Sequence, residues 1–262
     1  MDTFSKQGLS HLRNALDLRL VDLLKESIKA FIKQAVSNLS VEDRDYYLSK
    51  KFDGDNILHQ GLLLLHQLDN KQFQYVIDAA SNCINLHLLV NADCVLKQVK
   101  TLIKSKSVHS IVLTQPRLRV DLPEKFSLNK KKIHLGFHQE SSYFKKNVSQ
   151  KTAIVSWIPL FDCNEKRGAL KFLAGSNNEG ELKHKIWFED EANKKHKRAT
   201  VSDCVIKKYS EQTLDAKVGD LIFQKFDLIH RSGDNQTDDH VRYTIVARYS
   251  DGVASDFLPV SF

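Results

Sequence analysis

The chain has 262 residues, 42% of them hydrophobic, and 39 basic against 32 acidic side chains give a formal net charge of +7. This length and apolar content suffice for a sizeable core in one large domain or two small ones. The longest strongly apolar stretch, near Leu62 to Leu65, is far too short to span a bilayer, so no membrane partner is expected. Cys83, Cys94, Cys163 and Cys204 are widely and irregularly spaced, with no CxxC pair, which argues against a structural zinc site. No apolar signal core follows Met1, and the reading is a reduced, cytoplasmic compartment. The basic runs Lys130-Lys131-Lys132 and Lys194 to Arg198 are short and lack interleaved aromatics, so nucleic acid is not expected as a partner. The positive balance mildly favours an anionic small-molecule substrate.

Composition divides the chain near residue 110. Before it, Leu16, Leu20, Leu24, Ile28, Phe31, Ile32 and Ala35 recur at helical spacing and predict one amphipathic helix. Ser40 to Asp55 is polar, holds Gly54, and reads as a turn-rich connection or short helix. Further helices are predicted from Lys71 to Asn85 and from Ala92 to Ile103, with Asn91 or Asp93 as cap of the latter. After Ser110 the pattern turns to strands: Ile111 to Leu113, Thr152 to Ile158, Leu221 to Phe226 and Val241 to Tyr249. Short strands separated by Gly, Asn and Asp suggest a sandwich or barrel. The charged, irregular stretch 177–217 has the length of a lid or binding loop.

The chemistry centres on His138-Gln139-Glu140. On a strand, residues two apart share a face, so an imidazole and a carboxylate converge on one point. His230, after a strand and before the turn-like Arg231-Ser232-Gly233-Asp234-Asn235, is the candidate third ligand. Two histidines and a carboxylate leave open metal positions, the arrangement of non-haem iron oxygenases. On its own, His-x-Glu fits a half-exposed strand equally well. Arg242, flanked by β-branched and aromatic residues, calls for a partner: a ligand carboxylate or a cross-strand Asp or Glu. Arg248 shares its strand parity and competes for the same role. His134 either lines the pocket or lies at the surface. His184, His196 and His240 read as solvated.

Four separated blocks together resemble the phytanoyl-CoA dioxygenase family, iron(II)- and 2-oxoglutarate-dependent oxygenases that include ectoine hydroxylase. They are Gln115-Pro116-Arg117-Leu118; His138 to Phe144; Trp157-Ile158-Pro159-Leu160 running on to Gly168 through Ser176; and Gly219-Asp220 through His230-Arg231-Ser232-Gly233 to Arg242. The resemblance covers roughly residues 110 to 250. It implies an α+β protein, mainly β with helices, built on a double-stranded β-helix (jelly-roll) core and backed by N-terminal helices. The whole chain, 1–262, then forms a single oxygenase domain, with 1–109 as helical support and 110–262 as the core. It further implies His138, Glu140 and His230 as catalytic iron(II) ligands, and Arg242, Trp157, Ser232 and Arg117 around 2-oxoglutarate. Gln115 and Tyr143 fall on the substrate side. The family usually has Asp in place of Glu140, and its distal arginine comes one residue earlier.

The function this implies is a dioxygenase that hydroxylates a small or carrier-linked metabolite, with release of succinate and carbon dioxide. The alternative is a cupin-like metalloprotein, an isomerase or binding module, that does not use 2-oxoglutarate.

Overall fold

The computed structural model describes residues 3–126, 136–190, 192–193 and 195–259. His134 and the run Lys130 to Lys132 lie outside the described residues, as does the side chain of His196. A short helix α1 (Thr3–Gln7) and strand β1 (Leu9–Leu12) lead into the helices α2 (Leu18–Ser37), α3 (Val41–Ser49), α4 (Gln60–Leu68), α5 (Asn70–Asn82), α6 (Ile84–Val90) and α7 (Asp93–Ile103). Then come β2 (Ile111–Asp121), β3 (Val148–Ser149), β4 (Ile154–Pro159), β5 (Leu170–Leu173), β6 (Lys185–Asp190), β7 (Lys195–Thr200) and the short α8 (Asp203–Ile206). The chain closes with β8 (Glu211–Leu214), β9 (Leu221–Lys225), β10 (His230–Ser232), β11 (Arg242–Asp251) and β12 (Phe257–Leu258).

Two antiparallel sheets form the jelly roll expected from the sequence. The larger has the order β1-β9-β4-β11-β2, the smaller β10-β5-β8. A cavity lies between them, lined from one side by Trp157, Gln224 and Val246 and from the other by Leu170, His230 and Ser232. Alternation on β11 divides its side chains cleanly. Tyr243, Ile245, Ala247 and Tyr249 join the core shared with the helices. Val246 and Arg248 face the cavity. Both tyrosines are anchored through their hydroxyls, Tyr243 donating to the Leu58 carbonyl and Tyr249 to that of Val90 at 2.7 Å. The helical layer is thereby pinned to the back of the sheet.

Of the predicted stripe, Leu24, Ile28, Ile32 and Ala35 are fully buried, Leu20 and Phe31 are partly buried, and Leu16 is buried just ahead of the helix, while Val21, outside the predicted set, joins them. Asp17 caps the N-terminus of α2 by accepting from the Arg19 N–H. The polar segment after Ser40 holds α3, capped by Ser40. Several expectations require correction. The helix read as Lys71 to Asn85 ends at Asn82, because Cys83 is extended and a separate α6 starts at Ile84. Neither Asn91 nor Asp93 caps α7; Ala92 holds that position without a side-chain bond, and Asp93 sits in the first turn, where its charge suits the helix dipole. The strand read as Ile111 to Leu113 runs on to Asp121, straight through Pro116. A bulge opposite Val246 to Arg248 absorbs the proline, and Gln115 there takes φ 42°, a strained value for a residue with a side chain. The stretch 177–217 is not irregular: it carries the β6–β7 hairpin, α8 and β8.

Ile28 lies in the centre of the α2 stripe at 0% exposure. Ile28→Ala should cost about 3 kcal/mol through lost transfer energy and the cavity left behind. Urea unfolding of the two proteins at neutral pH would measure this, and a cost under about 1 kcal/mol would show that the helical layer contributes little to the global transition.

Candidate metal centre

His138 and His230 are brought together by backbone. Each donates its N–H to the other's carbonyl at 3.0 Å, forming an isolated antiparallel bridge. His138-Gln139-Glu140 is therefore not a regular strand as expected, and Glu140 opens a single 3-10 turn. The two-residue spacing still works because Gln139 is extended, at φ −105° and ψ 146°. Gln139 itself is fully buried, its amide donating to the carbonyls of Gly180 and Asp227 and accepting from the Leu182 N–H. Its own N–H donates to His184 Nε2 at 3.0 Å. His184 is thus not the solvated residue that its charged neighbourhood suggested; it braces the metal loop from behind.

The donor set is polarised toward one point. His138 Nδ1 meets the Gly136 carbonyl at 2.7 Å and His230 Nδ1 the Leu228 carbonyl at 2.9 Å. Both Nδ1 atoms thus carry the proton, which leaves both Nε2 atoms unprotonated, the arrangement that metal-ligating histidines need. Glu140 Oε1 accepts from Arg248 Nε at 2.7 Å, and Oε2 lies 3.7 Å from His230 Nε2. One ligand atom from each of the three residues lies within 4.8 Å of the others, and all three residues are buried. Burial lowers the His138 imidazole to about 3, His230 adding to the effect, and burial lowers His230 as well. Burial alone would raise the Glu140 carboxyl, but the Arg248 guanidinium overrides it and brings the value to about 2. Two neutral imidazoles and one carboxylate at neutral pH fit a borderline divalent cation such as iron(II). Gln224 Nε2 lies 2.9 Å from His230 Nε2 while its Oε1 has no partner, so the amide occupies a direction that a metal ion would take.

The remaining site residues sort by position in a cavity of about 420 Å³. Trp157 and Ser232 line it, as do Gln115, Arg117 and Tyr143. Tyr143 stands edge-on to His138 at 5.3 Å, and its hydroxyl accepts from the Ala199 N–H of β7, tying the hairpin to the metal loop. Arg242 behaves differently from the expectation of a free clamp. It is not part of the lining. Its guanidinium donates to Asp121 Oδ2, to the Gly168 carbonyl and to Ser232 Oγ, the last at 3.0 Å, while Nε is buried without a partner. Asp121 is its cross-strand neighbour in register, so the ion pair follows from the ladder itself. On β11 Arg242 keeps the inward parity of Val246 and Arg248. Gly233 permits the close approach behind this cluster, since a Cβ there would lie 2.6 Å from the Ala169 carbonyl oxygen.

Sequence reasoning passed over Asp121, Arg119 and Gln224. The signal was the alternation Gln115, Arg117, Arg119, Asp121, a charged face on a strand that Pro116 disguised. Arg119 and Arg242 share Asp121, whose burial is outweighed by the two guanidiniums, holding its carboxyl well below the usual carboxylate range.

A scan of family models matches residues 4–243 to phytanoyl-CoA dioxygenase. The chain belongs to the phytanoyl-CoA dioxygenase family. This is a family of non-haem iron, 2-oxoglutarate-dependent oxygenases, and iron and 2-oxoglutarate are its cofactors. Among solved structures, the family member is similar to EctD from S. alaskensis with bound Fe, at 12% identity, over 99% of this chain and 79% of that one, with a TM-score of 0.58. It is also similar to the non-heme alpha ketoglutarate dependent epimerase SnoN from nogalamycin biosynthesis, at 16% identity, over 99% and 88% of the two chains, with a TM-score of 0.57. SnoN in complex with Fe3+, alpha ketoglutarate and nogalamycin RO matches at 17% identity, over 99% and 85%, with a TM-score of 0.56. These likenesses establish the fold. No curated protein matches the sequence.

Asp121→Asn would leave the buried Arg242 and the half-buried Arg119 without their carboxylate and should destabilise the fold by about 3 kcal/mol at neutral pH. The Asp121 carboxyl titrates lower in the folded than in the unfolded chain. Its contribution is therefore present above the ordinary carboxylate value of about 3.9 and is lost as pH falls below it toward the folded value. Urea midpoints measured from pH 7 down to 3 should show the gap between the two proteins narrowing at the acid end. A constant gap would remove Asp121 from the acid response.

Proposed function

We propose that the chain is an iron(II)- and 2-oxoglutarate-dependent dioxygenase that hydroxylates a small-molecule substrate and releases succinate and carbon dioxide. The observation that carries this reading is the convergence of three buried donors, His138 Nε2, His230 Nε2 and Glu140 Oε2, with each Nδ1 proton held by a backbone carbonyl. In this reading His138, Glu140 and His230 hold the metal. When bound, iron with its keto acid cosubstrate supplies the oxidising chemistry, coupling oxygen reduction and decarboxylation to conversion of a substrate C–H to C–OH.

The protein's own part is to bind, orient and exclude water. Arg248 fixes Oε1 of Glu140 and leaves Oε2 turned toward the histidines. Trp157, Leu170 and Val246 give the cavity dry walls. Arg119 and Arg242 share a single carboxylate, so one positive charge stays uncompensated beside Ser232. That end suits the far carboxylate of 2-oxoglutarate, with Ser232 and Arg242 as its receivers. Gln115 and Tyr143 face the substrate side of the same cavity. Iron bound in EctD, and Fe3+ with alpha ketoglutarate bound in SnoN, support the assignment. We take the chain to act as one oxygenase domain, residues 1–109 supporting the core from 110 to 262, because helices and sheet share one hydrophobic core. A cytoplasmic location fits four unpaired thiols.

One observation favours the cupin-like alternative. Arg242 already has a carboxylate partner in Asp121, so it does not require a ligand's. Anaerobic titration of metal-free protein with iron(II), then 2-oxoglutarate, separates the readings. A weak visible charge-transfer absorbance that requires both additions and vanishes in His138→Ala is the expected result. Iron binding with no band on adding 2-oxoglutarate would favour the cupin-like protein. No metal binding at all would leave a binding module.

A further inference from the structure

One row of side chains crosses the inner face of the large sheet beside the metal donors. Strand register places Arg248, Val155, Gln224 and Leu9 next to one another on β11, β4, β9 and β1. The two polar members of the row each touch a ligand, Arg248 through Glu140 and Gln224 through His230. The first contact is an ion pair that fixes a carboxylate. The second is made by a neutral amide and calls for a different account.

The surroundings of Gln224 suit an apolar residue. Leu9 and Val155 flank it across the sheet, and Ile222 and Phe226, which precede and follow it in the alternation, belong to the same apolar cluster. The side chain is 2% exposed. A buried amide needs partners at both ends. Its Nε2 donates to His230 Nε2 at 2.9 Å, in the sense fixed by His230, whose proton sits on Nδ1 against the Leu228 carbonyl. Its Oε1 is buried and meets no donor among the described residues. Turning the amide over would only set Oε1 against the unprotonated Nε2, acceptor against acceptor. A cation at the triad changes this balance. Divalent transition-metal ions bind imidazole at about 2.1 Å, closer than the amide nitrogen stands, and through the same lone pair. The ion and the amide N–H cannot both hold it. An amide that turns then presents its carbonyl oxygen to the ion, and the oxygen that lacked a donor gains a charge. Carbonyl oxygen is a hard, neutral donor of the kind that suits manganese(II).

We propose that Gln224 is a further protein ligand to the metal, binding through Oε1 and giving way when a stronger ligand claims its place. This rests on the metal-centre part of the reading above and does not depend on 2-oxoglutarate. While the amide is bound, the positions open on the ion fall by one. The amide is the member of the set most easily displaced. It is uncharged and ends a flexible side chain, whereas Arg248 restrains the carboxylate and the backbone bridge fixes the histidines. The β9 wall thereby closes one side of the centre with a group that can leave without disturbing the other ligands.

The test uses the full chain titrated with Mn(II) and reads two quantities that do not involve turnover. One is the dissociation constant for the ion. The other is the number of water molecules on it, from the broadening of its electron paramagnetic resonance lines in 17O-enriched water. The parent is compared with Gln224→Leu and Gln224→Glu. Leucine matches the apolar row and removes a buried carbonyl that lacks a donor, so this variant should unfold in urea no earlier than the parent. The expected result is that Gln224→Leu carries one more water than the parent and binds Mn(II) about tenfold more weakly. Gln224→Glu, which keeps the oxygen and adds charge, should retain the parent's water count and bind at least as tightly. Should the leucine variant fail to fold, the glutamate variant decides alone by the same two readings. An unchanged water count in Gln224→Leu overturns the proposal. With weaker binding it makes the amide a partner of bound water, and with tighter binding a mere competitor for His230. Weaker binding by Gln224→Glu than by the parent overturns it as well. These outcomes leave the metal centre standing. Failure of the parent to bind Mn(II), or binding that survives His138→Ala, removes the centre itself and the proposal with it.

Discussion

Charge pairing inside the barrel is the constraint on which the rest of this structure depends. Four arginines point inward from β2 and β11, and two carboxylates answer them. A buried guanidinium without a partner is far more costly than one held by a carboxylate, so the pairing pattern decides which arginines are structural and which remain available. Asp121 holds Arg242 and Arg119 together by sharing its one charge between them, which leaves one positive charge over. Arg248 commits itself to Glu140 and so turns an ion pair into part of the metal centre. The backbone follows the same logic: Gln115 accepts a strained conformation at the bulge, and its carbonyl there accepts from Arg248 Nη1 at 3.0 Å.

Glu140 illustrates how a substitution of one methylene can be absorbed. The longer side chain extends past the point an aspartate would reach, and the surplus length is anchored by Arg248. Of its two oxygens one is fixed by the protein and the other is free for a ligand. The related-family aspartate would have less reach toward β11. The arginine and the glutamate therefore act together at the centre.

Much of this was legible in the sequence, for identifiable reasons. The α2 stripe was readable because a helix on one core must repeat at helical spacing. His138, Glu140 and His230 were readable because metal ligation demands particular donor types, and the surrounding blocks gave them context. Helix ends were less readable: the break at Cys83 carries no glycine or proline to mark it. The full length of β2 was hidden because Pro116 normally interrupts a strand, and it is tolerated only through a bulge in β2 itself, where Gln115 and Pro116 stand opposite Ala247. The partner of Arg242 was one of two open readings. Choosing between them needed the register of β2 against β11, which depends on long-range pairing and not on local composition.

The reciprocal backbone bridge between His138 and His230 has a consequence for which ions the centre admits. Two ligands held by mutual N–H to carbonyl bonds behave as fixed jaws, their gap set by the geometry of an antiparallel ladder before any ion arrives. Accommodation to ionic radius then falls on the third ligand alone. Glu140, on a single turn at the end of a flexible side chain, is the adjustable member of the trio. Discrimination among cations of similar charge is thus delegated to one carboxylate and to the arginine that restrains it.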